Sequence, residues 1–244
     1  MIVTQDDETI DQILSSVESI CKKYPEKYWL ELDKAQSYPT EFVKSMTESG
    51  HLNALIPTKY GGAGLSLLIA ARILEKIHQS GCNAAAAHAQ MYTMGSILKY
   101  GSEAQKSKWL PLIAKGEVRL QAFGVSEPEA GTDTSSISTS AIRKENKYIL
   151  NGQKIWTSRA LHSDLMILLA KTKPKNERSS KSDGLSLFLI DIRESLGSGM
   201  TIRPIETMIN HSTTEVFFDN LEISPDNLIG KENEGFKQVL NSMN

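Results

Sequence analysis

The spacing of apolar residues changes near Gly116, and neither a layer of helices alone nor a sheet alone accommodates both halves. From Asp7 to Lys23 the residues Ile10, Ile13, Leu14, Val17 and Ile20 recur at intervals of three and four, which places them on one face of a helix. The pair Tyr24-Pro25 breaks it. A second helix is expected to open after Pro39 with Thr40 as N-cap and to close at Gly50, turning Phe42, Val43 and Met46 inward. Beyond the glycine-rich "IPTKYGGAG", helical spacing continues through "LSLLIAARILEKIHQS", the alanine-rich "CNAAAAHAQMYTMGSILKYG" and the shorter "SEAQKSKWLPLIAKG".

After Gly116 the segments "LQAFGV", "KYILNGQKIWTS", "LMILLAK", "LSLFLID", "MTIRPI" and "EVFFDNLEI" are short, aliphatic or aromatic, and separated by turn signals. Such segments suit strands of a sandwich or small barrel. Asn151-Gly152 is a hairpin signal. The polar run "KPKNERSSKSDG", from Lys173 to Gly184, reads as a mobile loop between strands and not as a domain linker. Near the end, Phe236, Val239 and Leu240 start a helical stripe, and a helix of barely two turns is marginal unless it packs on something.

Charge and cysteine content narrow the function classes. The 27 basic and 29 acidic side chains leave a formal charge of -2, with no excess of Lys and Arg to attract nucleic-acid phosphates. An acidic small molecule remains admissible through local charge. A chain of 244 residues with 40% hydrophobic content builds one large core or two smaller ones. Cys21 and Cys82 form no CxxC pair, which argues against a disulfide framework or a structural zinc and fits a reducing compartment. The acidic start "MIVTQDDETI" lacks a basic region followed by an apolar core, and no run approaches ~20 apolar residues. The expectation is a cytoplasmic chain with no membrane span.

The segment "AFGVSEPEAGTDTSS", residues 122–136, sets acids and hydroxyls around a proline and a glycine. Glu127, Glu129 and Asp133 lie close enough to suggest a paired-carboxylate hydrolase, or else they shape the loop. The five histidines, His51, His78, His88, His162 and His211, show no metal-ligand spacing, so no metal site is expected. Met91, Tyr92 and Met94 either fill a core or line a ligand.

Five ordered stretches carry a resemblance to the acyl-CoA dehydrogenase family: "FVKSMTESGHLNALIPTKYGGAGLS", "GSEAQKSKWLPLIAKGE", "AFGVSEPEAGTDTSS", "YILNGQKIWTSRALHSDLMILLAKT" and "EVFFDNLEISPDNLIGKENEGFKQVL". The resemblance implies an α+β multidomain chain. It places an N-terminal all-α domain at 1–119, a β-barrel or sandwich middle domain binding flavin and acyl-CoA at 120–230, and the start of a C-terminal helical domain at 231–244. It also implies FAD as cofactor and α,β-desaturation of an acyl-CoA thioester, with hydride transfer to flavin N5. By the same resemblance Phe123, Val125 and Ser126 line the isoalloxazine, Trp156 covers it and Ser158 sits near N5. Thr132 reaches the cofactor or the pantetheine, and Met91, Tyr92 and Met94 border the acyl chain. The three loop acids then become turn formers.

Departures from the family pattern matter for function. Ser126, Thr132 and Ser158 stand where many relatives have Thr, Ser and Thr, which preserves the hydroxyls. Arg159 stands where many have Asn, and it either meets a polar acyl group or pairs with an acid of a neighbouring domain. Relatives take the catalytic Glu from a C-terminal bundle or from just inside the helix that begins at Phe236, so no catalytic base is expected within residues 1–244, and the chain is expected to be truncated before that bundle and weakly active or inactive alone. An electron-transfer flavoprotein as acceptor and a homo-oligomer, or association with a partner carrying the C-terminal domain, complete the expectation. The rival readings are a non-catalytic acyl-CoA-binding partner or remnant, and a flavin oxidase or monooxygenase on the same scaffold.

Overall fold

A computed structural model of the chain describes residues 7–180 and 182–242. They form two compact units. Of the described residues, one gathers 7–91 with Lys106–Val118, and the other Tyr92–Gln105 with those from Arg119 to 242.

The first unit is helical. It contains α1 (Asp7–Cys21), α2 (Glu26–Lys34), α3 (Thr40–Glu48), α4 (Leu67–Gln79), the first part of α5 (Ala85–Tyr100) and most of α6 (Glu103–Lys115). Val17 and Ile20 of α1, Phe42, Val43 and Met46 of α3, and Ile73 and Ile77 of α4 meet in one buried cluster, as their spacing predicts. Sequence periodicity does not reveal α2, because none of its residues is buried. The Pro25 that ends α1 is the N-cap of α2, and Tyr28 and Trp29 lie edge-on to Tyr24 and Phe42 at centroid distances of 4.9 and 5.0 Å. The cap of α3 is Pro39 instead of Thr40, and Gly50 closes that helix at φ 79°.

The second unit is built on one eight-stranded sheet comprising β1 (Leu120–Gly124), β2 (Ser140–Lys144), β3 (Lys147–Ser158), β4 (Leu165–Lys171), β5 (Leu185–Asp191), β6 (Met200–Pro204), β7 (Thr213–Ile223) and β8 (Leu228–Ile229). A short α7 (Ile192–Ser195) follows β5, and α8 (Gly235–Ser242) follows β8. The order is β6-β7-β3-β2-β4-β5-β8, with β1 running parallel to β4. The end strands β6 and β8 do not pair with each other, so the expected barrel is an open sheet. Tyr148, Leu150, Met166, Leu168, Phe188, Ile190, Val216 and Phe218 form its core.

Asn151-Gly152 is not the expected hairpin turn. It lies inside β3, where the pairing with β7 shifts register between Leu150 and Gly152, and the chain reverses instead between Lys144 and Lys147. Gly152 has φ 143°, and a Cβ there would stand 2.5 Å from Thr139 Oγ1 and 2.6 Å from Thr139 Cα. Both the backbone angle and the lack of space demand glycine. Gly152→Ala is therefore expected to destabilise the protein by about 2–4 kcal/mol, checked by urea unfolding.

The terminal stripe does find packing. Val239 is buried while Leu240 remains half exposed, and Gly235 sits where a Cβ would meet the Ser186 backbone at 2.7 Å. Lys99 Nζ donates to the Asn241 carbonyl at 2.6 Å and Ser96 Oγ to Ser242 Oγ at 3.3 Å, tying α8 to the latter half of α5. Among the described residues no helix is long and apolar enough to cross a membrane.

Candidate functional site

The loop after β1 is fastened to β3 by three bonds. Ile155 N donates to Ser126 O at 2.9 Å, and Lys154 Nζ donates to Val125 O at 3.0 Å and to Glu127 Oε1 at 2.8 Å. Glu127 and Ala130 exchange two backbone bonds of 3.0 Å, closing a tight turn over Pro128 and Glu129. The Glu127 carboxylate is buried and also accepts from Ser138 N at 2.5 Å, Ser138 Oγ at 2.8 Å and Thr139 N at 2.9 Å.

These partners set the charges. Burial acts to raise the Glu127 carboxyl, and is outweighed by the Lys154 ammonium and by the Ser138 and Thr139 donors, which hold it at about 2. Burial pushes Lys154 down to about 8 against the pull of Glu127. The pair is ionised at neutral pH and spends its bonding capacity on the loop. Gly124 leaves room for it, since a Cβ there would lie 2.1 Å from Met166 Cε and 3.3 Å from Lys154 Cγ.

The result is a loop rigidly placed beside a bulge. β3 shifts register against β7 between Lys154 and Thr157, and within that bulge Trp156 adopts φ 62°. Its indole is 59% exposed, unusual for a tryptophan on a strand. Next to it, neither the N–H nor the hydroxyl of Ser126 has a hydrogen-bond partner among the described residues. Ser158, opposite Thr213 in the ladder, accepts a 2.9 Å bond at Oγ from Asn210 Nδ2. Arg159, also left-handed at φ 62°, donates its N–H to Ser212 O at 2.7 Å and points Nη2 at Asn210 Oδ1, 3.5 Å away.

The structure thus ties Val125 and Ser126 to the β3 residues just before Trp156, with Ser158 at the end of that strand and Arg159 immediately after it. Phe123 on β1 meets Tyr92 of α5, ring centroids 6.0 Å apart. Met91 is packed in the helical core and Met94 is fully buried in the second unit. Thr132 is exposed on the loop. Of the loop acids, Glu127 is the anchor described above, Asp133 accepts from the Ser135 and Ser136 hydroxyls, and Glu129 is exposed. Lys154 and Asn210 were not singled out by sequence. A lysine at an inward position of β3, with a glutamate in the preceding loop, is the available signal for the first, whereas the second depends on a long-range contact.

Open Ser126 donors on a loop fastened to the residue before an exposed tryptophan suit a planar heteroaromatic ligand with acceptor edges. Residues 7–117 match the family model "Acyl-CoA dehydrogenase, N-terminal domain" and residues 122–221 the model "Acyl-CoA dehydrogenase, middle domain". The chain belongs to the acyl-CoA dehydrogenase family. It is 33% identical over 219 residues to an acyl-CoA dehydrogenase of Bacillus subtilis, covering 87% of this chain and 55% of that one. It is 34% identical to the glutaryl-CoA dehydrogenase of Desulfococcus multivorans, covering 87% and 54%. The crystal structure of acyl-CoA dehydrogenase from Geobacillus kaustophilus superposes with a TM-score of 0.87 at 27% identity, over 99% of this chain and 63% of that one. The chain spans about half the length of these curated relatives.

Proposed function

We propose that the protein acts as an FAD-dependent acyl-CoA dehydrogenase, with Phe123, Val125, Ser126, Trp156 and Ser158 holding the isoalloxazine. The observation that carries this reading is the Ile155–Ser126 bond, which fastens Ser126, its N–H and hydroxyl open, to the residue that precedes the exposed Trp156. When bound, FAD supplies the hydride acceptor for α,β-desaturation of an acyl-CoA thioester.

The chain's own residues have distinct parts. Ser126 offers its N–H and hydroxyl to the pyrimidine edge, where preorganised donors favour negative charge. Trp156 covers the ring and shields it from water, while Ser158 presents its hydroxyl to N5. Thr132, Tyr92 and Arg159 are the candidates for contact with the acyl-CoA, whereas Met91 and Met94 are buried in packing. Arg159 retains two assignments, a polar acyl group or an acid of a neighbouring domain. Glu127 is unsuited to taking the α-proton, since it is buried, ionised down to about 2 and committed to Lys154, Ser138 and Thr139. We assign that proton to a Glu of a C-terminal helical domain outside residues 1–244, with an electron-transfer flavoprotein as electron acceptor and a homo-oligomeric assembly.

The test mixes the FAD-loaded protein with the C-terminal helical domain of a relative under anaerobic conditions. Acyl-CoA should then bleach the flavin absorbance, and Glu→Gln at that domain's base should abolish bleaching while FAD stays bound. Bleaching by the chain alone at the rate of the mixture contradicts the assignment of the base, and no bleaching in either contradicts the dehydrogenase reading. In the same mixture Ser158→Ala is expected to slow bleaching roughly ten- to a hundredfold. Thermal unfolding should stay within about 2 °C, because the one bond lost within the protein, from Asn210, is exposed and lies outside the core.

A further inference from the structure

We propose that Asn210 is a positioning residue that fixes the direction of the Ser158 hydroxyl proton, so that Ser158 faces N5 of a bound flavin as a hydrogen-bond donor. The inference rests on the flavin site proposed above and adds to it a residue from the connection between β6 and β7.

The geometry determines the polarity. The two ends of an asparagine amide are nearly equal in size, and their neighbours decide which end is oxygen. Arg159 Nη2 lies 3.5 Å from one end, and a guanidinium carries donors only, so that end is the carbonyl Oδ1. The other end, Nδ2, must then donate to Ser158 Oγ, 2.9 Å away. A serine hydroxyl has one proton and two lone pairs. With one lone pair engaged by Asn210, the proton is turned away from Asn210 and left for an acceptor elsewhere. Aspartate at position 210 would reverse this, drawing the Ser158 proton toward itself.

The backbone supports an aiming role. Asn210 is held at φ 56°, its carbonyl accepting from Thr213 N at 3.0 Å, Thr213 Oγ1 at 2.7 Å and Thr207 Oγ1 at 3.3 Å. The Ser158–Thr213 pairing and the 2.7 Å bond from Arg159 N to Ser212 O lock the two segments together. Trp156, Arg159 and Asn210 are all non-glycine residues in the left-handed region. For Trp156 and Arg159 that conformation is costly, whereas asparagine adopts it readily.

The experiment compares the affinity of the protein for FAD and for 5-deaza-FAD, in which a C–H replaces the N5 acceptor. The wild type should prefer FAD roughly three- to tenfold, the worth of one neutral hydrogen bond, and Ser158→Ala should erase the preference. Asn210→Asp should also erase it, although the new carboxylate faces Arg159 and keeps the melting temperature within about 2 °C of wild type. Asn210→Gly, which tolerates the positive φ and frees the hydroxyl to rotate, should leave a preference about half as large on a logarithmic scale. A full preference retained in both Asn210 variants, with Ser158→Ala having lost it, overturns the role of Asn210 and leaves the site reading intact. No preference in the wild type, or one that Ser158→Ala leaves unchanged, overturns the site reading and the inference with it.

Discussion

Lys154→Met is expected to destabilise the protein by about 3–5 kcal/mol, because it strands a buried carboxylate. For a chain of this size that corresponds to a fall of roughly 6–20 °C in melting temperature. The Lys154 side chain is fully buried and that of Glu127 is 3% exposed. Without the ammonium, Glu127 keeps only Ser138 and Thr139 as donors in a place water does not reach, and Val125 O loses its partner. The double variant Lys154→Met, Glu127→Gln removes both charges and should recover part of the loss. Thermal unfolding of the four proteins at neutral pH gives the coupling, and additive single effects would contradict the pairing.

The same pair predicts an acid limb. The folded Glu127 carboxyl is depressed to about 2 from an ordinary value of 4.5, so its contribution is fully present above 4.5 and is lost as pH falls from there toward 2. Lys154 is also depressed, to about 8 from 10.5. Below 8 both folded and unfolded states hold its proton and the cost of burying it is fully present. As pH rises from 8 toward 10.5, the unfolded state holds the proton more than the folded one, and the balance shifts toward folding. Urea unfolding between pH 5 and about 2 should therefore show a decline that flattens in Glu127→Gln.

Trp156→Gly is expected to weaken ligand binding without lowering stability. The left-handed backbone costs a tryptophan about 1–2 kcal/mol that glycine does not incur, offset by about 0.5–1 kcal/mol from the greater freedom of unfolded glycine. The indole is 59% exposed, so little core packing is lost. Folding stability should be unchanged or up to about 1.5 kcal/mol higher, while FAD affinity drops roughly tenfold or more. Lower stability with unchanged affinity would make Trp156 a packing residue.

The helices of the first unit were legible wherever apolar residues repeat along one face, as in α1, α3 and α4. Strands β4 and β5 were legible as continuous apolar runs, being buried on both faces. What escaped shares one cause, dependence on partners distant in sequence. The strand β2 buries a single residue, Ala141, and is a strand only because β3 pairs with it. Asn151-Gly152 has the composition of a turn, yet β3 continues through it because β7 supplies a partner and Thr139 occupies the space of a side chain. At the site, Ser126, Trp156 and Ser158 were recognisable as a family pattern, whereas the Lys154–Glu127 anchor and the Asn210 contact join residues 27 and 52 positions apart. The hydroxyls were thus visible in sequence, but the groups that aim them were not.

Titrating FAD with the purified protein and following flavin fluorescence reports whether the loop fastened to β3 and the Trp156 bulge form a flavin site. Saturable quenching at one FAD per chain, weakened roughly tenfold or more in Trp156→Gly while that variant melts no lower than wild type, is the expected result. No saturable quenching, or quenching of equal affinity in wild type and Trp156→Gly, would contradict it.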